Sequence, residues 1–449
     1  MRAKQGCRTR GFHGRAARGA RPAKTPMDAP WVSSAPMRQD AYKTYLFLSG
    51  ASSLCLSFIF TASGVYQVMV VGLTPFQLVL VGTLLEFIAF TFEIPTGVVA
   101  DVYSRRLSVI LSYLLIGAGF ILEGSVPTFV AVLLAQVLWG IGATFESGAL
   151  DAWVPDELGE ARAARAFLRA SQVDSVMTVA GIAAGALVGG IAGSAVPVWL
   201  GGVGMIIVGL TLAFVMPENG FRPRPREERG SWRAMARTVR DGLRILRARP
   251  VLARLIGAGF VFGAFSEGFD RLWTPLALSA GVPSLMQAPP IVWLAGLRMV
   301  ATLLQLPIAE FVSRRVRLDA DASVARALVI ATVLIMIGLG GLALAPDFVW
   351  IGLAYVAAAS ARRAIGPILQ AWKNRQIRGE DARARATVLS MYGQVDAIGQ
   401  IAGGPAVGAI GNLSLRLAML ASAAILSPAL LLYRRAGRPA SSVETPVED

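Results

Sequence analysis

The chain has 449 residues, of which 55% are hydrophobic and 16% are charged, and its mean hydropathy is +0.58. A soluble protein carries charge on about a quarter of its residues, so this composition excludes a soluble globular protein. The apolar residues occur in blocks of roughly 20, the length that crosses a bilayer as a helix. We therefore expect an all-α membrane protein with several spans, because a helix satisfies its backbone hydrogen bonds internally in lipid.

The formal net charge of +15 does not indicate a nucleic-acid partner, because of where the basic residues lie. They are concentrated in the first forty residues, in alternate loops and in a central linker, and no stretch resembles a nucleic-acid-binding module. Cys7, Cys55 and His13 are the only cysteines and histidine, so we expect neither a disulfide framework nor a metal site. We also expect no cofactor and no catalytic residues.

The two ends of the chain are polar. Residues 1–40 are basic and nearly free of acids, and they lack the apolar core of a secretory signal. A transit peptide has a similar composition. We interpret this stretch either as a disordered tail or as residues that precede the true start of translation at Met27 or Met37. Residues 436–449 are interpreted as a second disordered tail.

Between the tails, apolar blocks occur in two sets of six on either side of a polar linker at 217–249. The blocks lie near 44–71, 77–100, 107–124, 127–152, 167–190, 196–216, 250–279, 288–313, 324–345, 347–371, 387–410 and 414–433. They predict an N-terminal six-helix bundle over 41–216 and a C-terminal one over 250–435.

The connections between the blocks alternate in charge. Those near 72–76, 124–127, 191–196, 280–288, 345–347 and 411–413 contain no Lys or Arg. The others carry Arg105, Arg106, Arg162, Arg165, Arg314, Arg315, Arg317, Lys373, Arg375, Arg378, Arg383 and Arg385. By the positive-inside rule, both termini and the linker are predicted to be cytoplasmic, which indicates the cytoplasmic membrane.

The linker contains a helical pattern. Trp232, Met235, Val239, Leu243 and Leu246 recur every three or four residues, with arginines around them. This spacing predicts either a helix lying in the membrane interface or an ordinary solvated linker helix.

Three short segments recur in the same order in the two halves, which indicates a duplicated six-helix unit. The pairs are SQVDSVMTVAG (171–181) with GQVDAIGQIAG (393–403), ADVYSRR (100–106) with AEFVSRR (309–315), and GALDAW (148–153) with PILQAW (367–372). In transporters such repeats place the substrate route between the two halves, near the midplane.

The segment GVVADVYSRR (97–106) resembles the signature that the major facilitator superfamily carries between its second and third helices. FEIPTG, SGALDAW, SEGFDRLW and RATVLS are similar to the tetracycline- and macrolide-efflux-like branch of that superfamily, and the resemblance covers about 41–435. It implies two pseudo-symmetric six-helix bundles and proton-coupled antiport. It also implies that Asp101 forms a charge latch with Arg105 or Arg106.

Two features depart from the family pattern. In GIAAGALVGG (181–190), Ala186 stands where family antiporters usually have proline, whereas GGPAVG (403–408) has Pro405. The fourth helix has no arginine near Gln136, so proton coupling should run through other acids.

Charges inside the apolar blocks are the candidate functional residues, because Asp at the centre of a membrane helix costs about 2.5–3.5 kcal/mol. Glu146 is either a proton or substrate site or a permanent partner of Arg362 or Arg363. Glu267 and Arg271 are four residues apart, so they can pair within one helix. The proton and substrate candidates are Glu146, Glu267, Asp270, Arg271, Arg298, Arg362 and Arg363.

A second set of charges is predicted to act in gating or conformational change. It comprises Asp101, Arg105, Arg106, Asp151, Glu93, Asp174, Glu310 and Asp396. Glu86 shares a helix face with Glu93. Glu123, at the outer end of the third helix, is expected to be solvated.

Aromatic residues in the spans are interpreted either as the walls of a multidrug pocket or as simple packing. They are Trp139, Trp273, Trp293, Phe265 and Tyr66.

These patterns predict a monomeric secondary transporter that exports a lipophilic or amphiphilic molecule against proton entry. The absence of a G-x-x-x-x-G-K-[ST] loop excludes ATP-driven export by this chain alone. One alternative is an importer of a small organic anion or nutrient on the same fold. Another is a membrane protein that transports nothing, such as a sensor or scaffold.

Overall fold

The computed structural model describes residues 40–223, 240, 244, 246–247, 249–283, 288–377 and 382–438. These residues form helices joined by short connections, and none of them is in a strand. The predicted tails at 1–39 and 439–449 lie outside the described residues, as does most of the predicted linker helix.

Within the described part of the chain, twelve helices follow one another, and α8 and α12 each consist of two segments, a and b. They are α1 (Ala41–Met69), α2 (Pro75–Val102), α3 (Arg105–Ser125), α4 (Phe129–Leu158), α5 (Glu160–Ala192), α6 (Ala195–Val215), α7 (Pro250–Ser279), α8a (Pro290–Leu303), α8b (Gln305–Arg315), α9 (Asp321–Leu344), α10 (Phe348–Gln376), α11 (Ala382–Leu413), α12a (Leu415–Leu426) and α12b (Pro428–Ala436).

The helix boundaries have local causes in the sequence. Thr74 caps α2 with a capping box, in which the Gln77 backbone N–H donates to the Thr74 hydroxyl and the Thr74 N–H donates to the Gln77 side chain. Asp40 and Asp347 cap the N-termini of α1 and α10. Both have an extended backbone, and each side chain accepts hydrogen bonds from two backbone N–H groups at the start of its helix. Gly159, at φ +76°, separates α4 from α5, because few other residues adopt that conformation without strain.

Among the described residues, eleven helical segments are long and apolar enough to cross a membrane, judged by length and composition alone. Helix α11 is not one of the eleven. It contacts α7 on one side and α2 on the other. A Cβ at Gly403 would lie 2.6 Å from Ala264 Cα on α7, and one at Gly404 would lie 3.3 Å from a methyl group of Val79 on α2. Gln394, Asp396 and Gln400 therefore lie on a helix that contacts both bundles.

The two ends of the molecule differ in charge. One end carries the connections that follow α2, α4, α8b and α10, with Arg105, Arg106, Arg317 and Arg375 near them, and we call it the basic end. The other end, which we call the neutral end, carries the connections that follow α1, α3, α5, α7, α9 and α11.

The two bundles are in contact at the neutral end. The Phe76 backbone N–H donates to Asn412 Oδ1 at 2.9 Å, which joins the start of α2 to the end of α11. A Cβ at Gly411 would lie 3.0 Å from Pro75 Cβ, and one at Gly408 would lie 3.0 Å from Val79 Cβ. Glycine on α11 thus allows the two helices to approach closely and to close this end.

The same helices have space around them nearer the basic end. A Cβ added at Gly97 on α2, Gly148 on α4, Gly366 on α10 or Gly393 on α11 would meet nothing within 4 Å. These four positions therefore have free space beside them nearer the basic end.

We expect Gly403→Val to destabilise the protein by about 1–3 kcal/mol, because the added side chain would force α11 away from α7. Gly393→Val is the matched control on the same helix, where a Cβ has free space. Thermal unfolding of the purified variants in detergent measures the effect. Equal melting temperatures for the two variants would contradict this account of helix packing.

Candidate functional site

A cavity of about 470 Å³ lies between the two bundles. Its walls come from α1, α2, α4, α7, α8a, α10 and α11, so residues distant in sequence face one another across it. A neighbouring space of about 360 Å³ shares Asp270, Trp273, Tyr355 and Arg363 with it. We refer to the first of these as the central cavity.

Aromatic side chains form opposite walls of the central cavity. Phe60 and Trp139 lie together on one side, with ring centroids 5.1 Å apart. Trp273 stacks on Tyr355 on the other side, with centroids 3.9 Å apart and planes inclined by 22°. Such walls favour an apolar or aromatic part of a ligand.

Three of the predicted aromatic candidates are absent from the lining of the central cavity. Tyr66 is buried, and its hydroxyl donates to the Glu123 carbonyl at 2.6 Å. Phe265 is buried beside Phe262, and Trp293 packs against Phe348. Packing is therefore the observed environment of these three residues, whereas Trp139 and Trp273 line the cavity.

Asp270 and Arg362 join α7 to α10 by an ion pair. Arg362 Nη1 lies 2.5 Å from Asp270 Oδ1. The guanidinium of Arg362 also lies over the rings of Phe265 and Phe269, at 5.6 and 5.9 Å from their centroids. Both charges are only partly exposed, so the pair holds the arginine head group in one place at the edge of the cavity.

Glu267 and Arg271 lie one turn apart on α7 and face α2. Arg271 Nε is 3.5 Å from Glu267 Oε2, and this oxygen is buried without a hydrogen bond in the described structure. A Cβ at Gly82 would collide with the Glu267 carboxylate and would lie 2.9 Å from Arg271 Nε. Gly82 therefore lets this pair of charges sit directly against the opposite bundle.

Two further arginines line the central cavity. Arg298 on α8a donates to the backbone carbonyl of Phe60 on α1, which is a contact between the two bundles. Arg363 on α10 has Nη1 buried with no hydrogen-bond partner among the described residues. Glu86 on α2 lies in the opposite wall.

Glu146 does not contact either arginine that the sequence suggested as its partner. The hydroxyl of Tyr113, buried on α3, donates to Glu146 Oε1 at 2.6 Å. Arg362 is paired with Asp270 instead. Glu146 is partly buried, joins α4 to α3 within one bundle, and is not among the residues that line the central cavity.

The expectation that Glu123 is solvated was wrong. Glu123 is 0% exposed, and its carboxylate oxygens accept hydrogen bonds from Gln67 Nε2 at 2.9 Å and Gln136 Nε2 at 3.4 Å. The side chain lies near the outer end of α3, but α1 and α4 cover it there. Position along a helix does not reveal which neighbours cover that part of its surface.

The connection between α2 and α3 is anchored by residues that the sequence reasoning missed. Arg105 is buried and contacts the carboxylate of Asp156 and the carbonyl of Ala152, both on α4. Glu218 accepts from the Ser104 hydroxyl at 2.6 Å and from the Arg106 backbone N–H at 2.9 Å. Asp156 lies near the end of α4, and Glu218 lies in the PENG segment (217–220) that follows α6. The latch role of Asp101 stays a prediction.

The remaining gating candidates lie in several environments. Asp174 accepts hydrogen bonds from the hydroxyls of Ser49 and Ser53 on α1, at 2.6 and 3.0 Å. Gln394 on α11 lies near Glu93 on α2, so these two side chains approach each other from different bundles.

The other three lie in different surroundings. Asp396 accepts from Gln400 on its own helix, Glu310 pairs with Arg314 at 2.5 Å, and Asp151 is exposed near the basic end of α4. The gating roles of all five acids stay predictions.

Apolar helices that surround a central cavity with buried charges are the architecture of a membrane transporter. Among the described residues, no three His, Cys, Asp or Glu side chains are grouped so that they could hold a metal ion. The sequence profile of the Major Facilitator Superfamily matches residues 45–379. The chain belongs to this superfamily, which confirms the predicted fold of two six-helix bundles. Membership in the tetracycline- and macrolide-efflux-like branch stays a prediction.

Individual relatives are distant. The uncharacterized MFS-type transporter YxaM of Bacillus subtilis (strain 168) is 26% identical over 97 residues, which cover 22% of this chain and 24% of that protein. The crystal structure of the nucleoside transporter NupG superposes with a TM-score of 0.69 at 14% identity, covering 89% of this chain and 100% of that one.

An inward-facing, unoccupied structure of a bacterial homolog of the human lysosomal transporter Spinster has a TM-score of 0.65 at 18% identity, and covers 88% of this chain and 97% of that one. At these identities the similarity establishes the fold alone.

A double-mutant cycle of Asp270→Asn and Arg362→Gln tests the pair that joins α7 to α10. We expect a coupling free energy of about 0.5–1 kcal/mol between the two side chains. This value is small for an ion pair because Asp270 is 45% exposed and Arg362 is 31% exposed. Thermal unfolding of the four purified proteins measures it. The pair of Asp40 and Lys43 is the control, because its charged atoms are 3.7 Å apart and its lysine is 82% exposed, and it should show coupling near zero. Equal coupling in both pairs would contradict the proposed role of burial.

Proposed function

We propose that the protein is a secondary active transporter of an amphiphilic organic anion, which it exports in exchange for protons. The substrate would place an apolar or aromatic body between the two aromatic walls of the central cavity. Its negatively charged group would lie against the arginines on α8a and α10. Alternating access of the cavity to the two sides of the membrane would carry it across.

The observation that carries this proposal is the unpaired state of Arg363. The Nη1 atom of Arg363 is buried and has no hydrogen-bond partner among the described residues. The Arg363 side chain lines both the central cavity and the neighbouring space. A buried donor without a partner costs free energy, which an anionic ligand would recover by accepting from it. A guanidinium also binds carboxylate or phosphate with two parallel hydrogen bonds.

The balance of charge supports an anion rather than a cation. Asp270 is paired with Arg362, and Glu267 lies beside Arg271. Setting these pairs aside leaves Arg298 and Arg363 against Glu86 in the lining of the central cavity. An anionic substrate would bring this group of charges closer to neutrality.

The arrangement of the two ends supports alternating access. The bundles meet at the neutral end through Phe76 and Asn412, and the glycines nearer the basic end face open space. If the basic end is cytoplasmic, as the positive-inside rule predicts, this conformation receives substrate from the cytoplasm. Export is the direction that the resemblance to the efflux-like branch implies.

Import of a small organic anion is the second candidate. The same arginines favour it, since they select for charge and not for direction. Uptake measured in right-side-out and inside-out vesicles separates the two candidates.

The anion proposal predicts that Arg363→Gln abolishes selective binding of aromatic carboxylates. Indole-3-acetate should raise the melting temperature of the wild-type protein, and its neutral amide should not. We expect Arg363→Gln to weaken carboxylate binding about tenfold or more, the loss of a charged hydrogen bond of about 1.5–3 kcal/mol.

Arg254→Gln is the control for this experiment, because Arg254 lines neither the central cavity nor its neighbouring space and is bonded to the carbonyl of Arg435. Equal stabilisation of the wild-type protein by carboxylate and amide would contradict an anionic substrate.

Proton coupling predicts that Glu146→Gln abolishes substrate-dependent proton movement in proteoliposomes and leaves the protein inserted. Glutamine still accepts the hydrogen bond from Tyr113, but it cannot release a proton. A pH-sensitive dye inside the vesicles measures the effect, and Glu160→Gln, at the exposed start of α5, is the control. Normal proton movement in Glu146→Gln at matched protein density would remove Glu146 from the mechanism.

A further inference from the structure

A second large space lies on the outside of the C-terminal bundle. It is a groove of about 880 Å³ between α8b, α9 and α10, and it is separate from the central cavity. Its walls are apolar, and several of them are well exposed, including Phe311 on α8b, Ile330 on α9 and Leu353 on α10. We call this space the outer groove.

The sequence explains why the outer groove is not filled. Its floor is made largely of small side chains, among them Ala327, Ala357, Ala361 and Ala364. Pro307 lies in the first turn of α8b and has no backbone N–H, which accounts for the break between α8a and α8b. Small residues on two helices and an interrupted third helix leave a space that the protein's own side chains do not occupy.

Three arginines line the end of the outer groove nearest the basic end. They are Arg315 on α8b, Arg317 in the following connection and Arg326 on α9, and all three are exposed. None of them forms an ion pair within the described part of the chain. Arg314, in the same turn as Arg315, is paired with Glu310 at 2.5 Å and does not line the groove.

The floor of the outer groove contains an unpaired polar group and approaches the central cavity. Ser360 Oγ is buried with no hydrogen-bond partner in the described structure. Ser360 and Ala364 also line a smaller space of about 150 Å³ that reaches Arg363. One layer of α10 side chains therefore separates the outer groove from the central cavity.

We propose that the outer groove binds one anionic phospholipid of the leaflet at the basic end, with its acyl chains along the apolar walls and its phosphate against Arg315, Arg317 and Arg326. The apolar walls belong to helices that cross the bilayer, so acyl chains are their natural neighbours. Basic pockets between membrane helices bind the head groups of anionic lipids. A zwitterionic head group has no net charge, so it would neutralise the three arginines less well than an anionic head group.

The full-length purified protein tests this proposal without any knowledge of the transported substrate. Phosphatidylglycerol and phosphatidylcholine are titrated separately into detergent-solubilised protein, and binding is followed by native mass spectrometry and melting temperature. We expect phosphatidylglycerol to bind about tenfold or more tightly than phosphatidylcholine. The triple variant Arg315→Gln, Arg317→Gln and Arg326→Gln should lose this preference.

A matched variant controls for loss of charge at the basic end. Arg162, Arg165 and Arg169 are exposed on α5, and none of them lines the outer groove. Their triple replacement by Gln should leave the lipid preference unchanged. If the first triple variant does not fold, Ala357→Trp fills the outer groove and leaves the three arginines in place, and it should also abolish lipid binding.

Several outcomes would overturn the proposal. Equal binding of the two lipids by the wild-type protein would exclude selectivity for an anionic head group. An equal effect of glycerol phosphate would show an anion site that does not need acyl chains. A dimer without bound lipid, lost in Ala357→Trp, would make the outer groove a contact between two copies of the chain.

Discussion

Charged side chains lie between apolar helices at the centre of this protein, where an uncompensated charge costs several kcal/mol more than in water. This constraint accounts for how the helices meet around the cavity. Asp270 and Arg362 join α7 to α10, and Arg298 reaches from α8a to the backbone of Phe60 on α1. Each contact gives a charged group a partner within the protein. The central cavity is the space enclosed by these contacts, and Arg363 is the cation that they leave without a full set of partners.

Glycine determines how closely the bundles approach and where they separate. On α11, Gly408 and Gly411 lie against α2 at the neutral end, whereas Gly393 faces open space nearer the basic end. On α2, Gly82 admits the Glu267 carboxylate, and Gly97 again faces open space. The same two helices therefore carry both a closed contact and an open one. In our proposal, transport would exchange these two kinds of contact between the ends, as expected when two conformations differ by only a few kcal/mol.

Contacts between residues close together in the sequence could be predicted, whereas contacts between residues far apart in the sequence could not. The four-residue spacing of Glu267 and Arg271 predicted that they could pair, and they lie 3.5 Å apart on one helix. Arg105 contacts Asp156, which is 51 residues away, and no local pattern pointed to that contact. Glu123 was expected in solvent because it is near a helix end, but Gln67 and Gln136 from two other helices enclose it.

The sequence by itself determined the number, order and approximate limits of the helices, and the alternation of charge between the two ends. The physical reason is that the bilayer acts on each segment separately, so length and apolarity are readable from one stretch of chain. Only the tertiary structure decided which buried charges meet, which end is closed, and that α10 lies between the central cavity and the outer groove. Those features depend on the rotation of each helix about its axis, which is set by packing against partners distant in sequence.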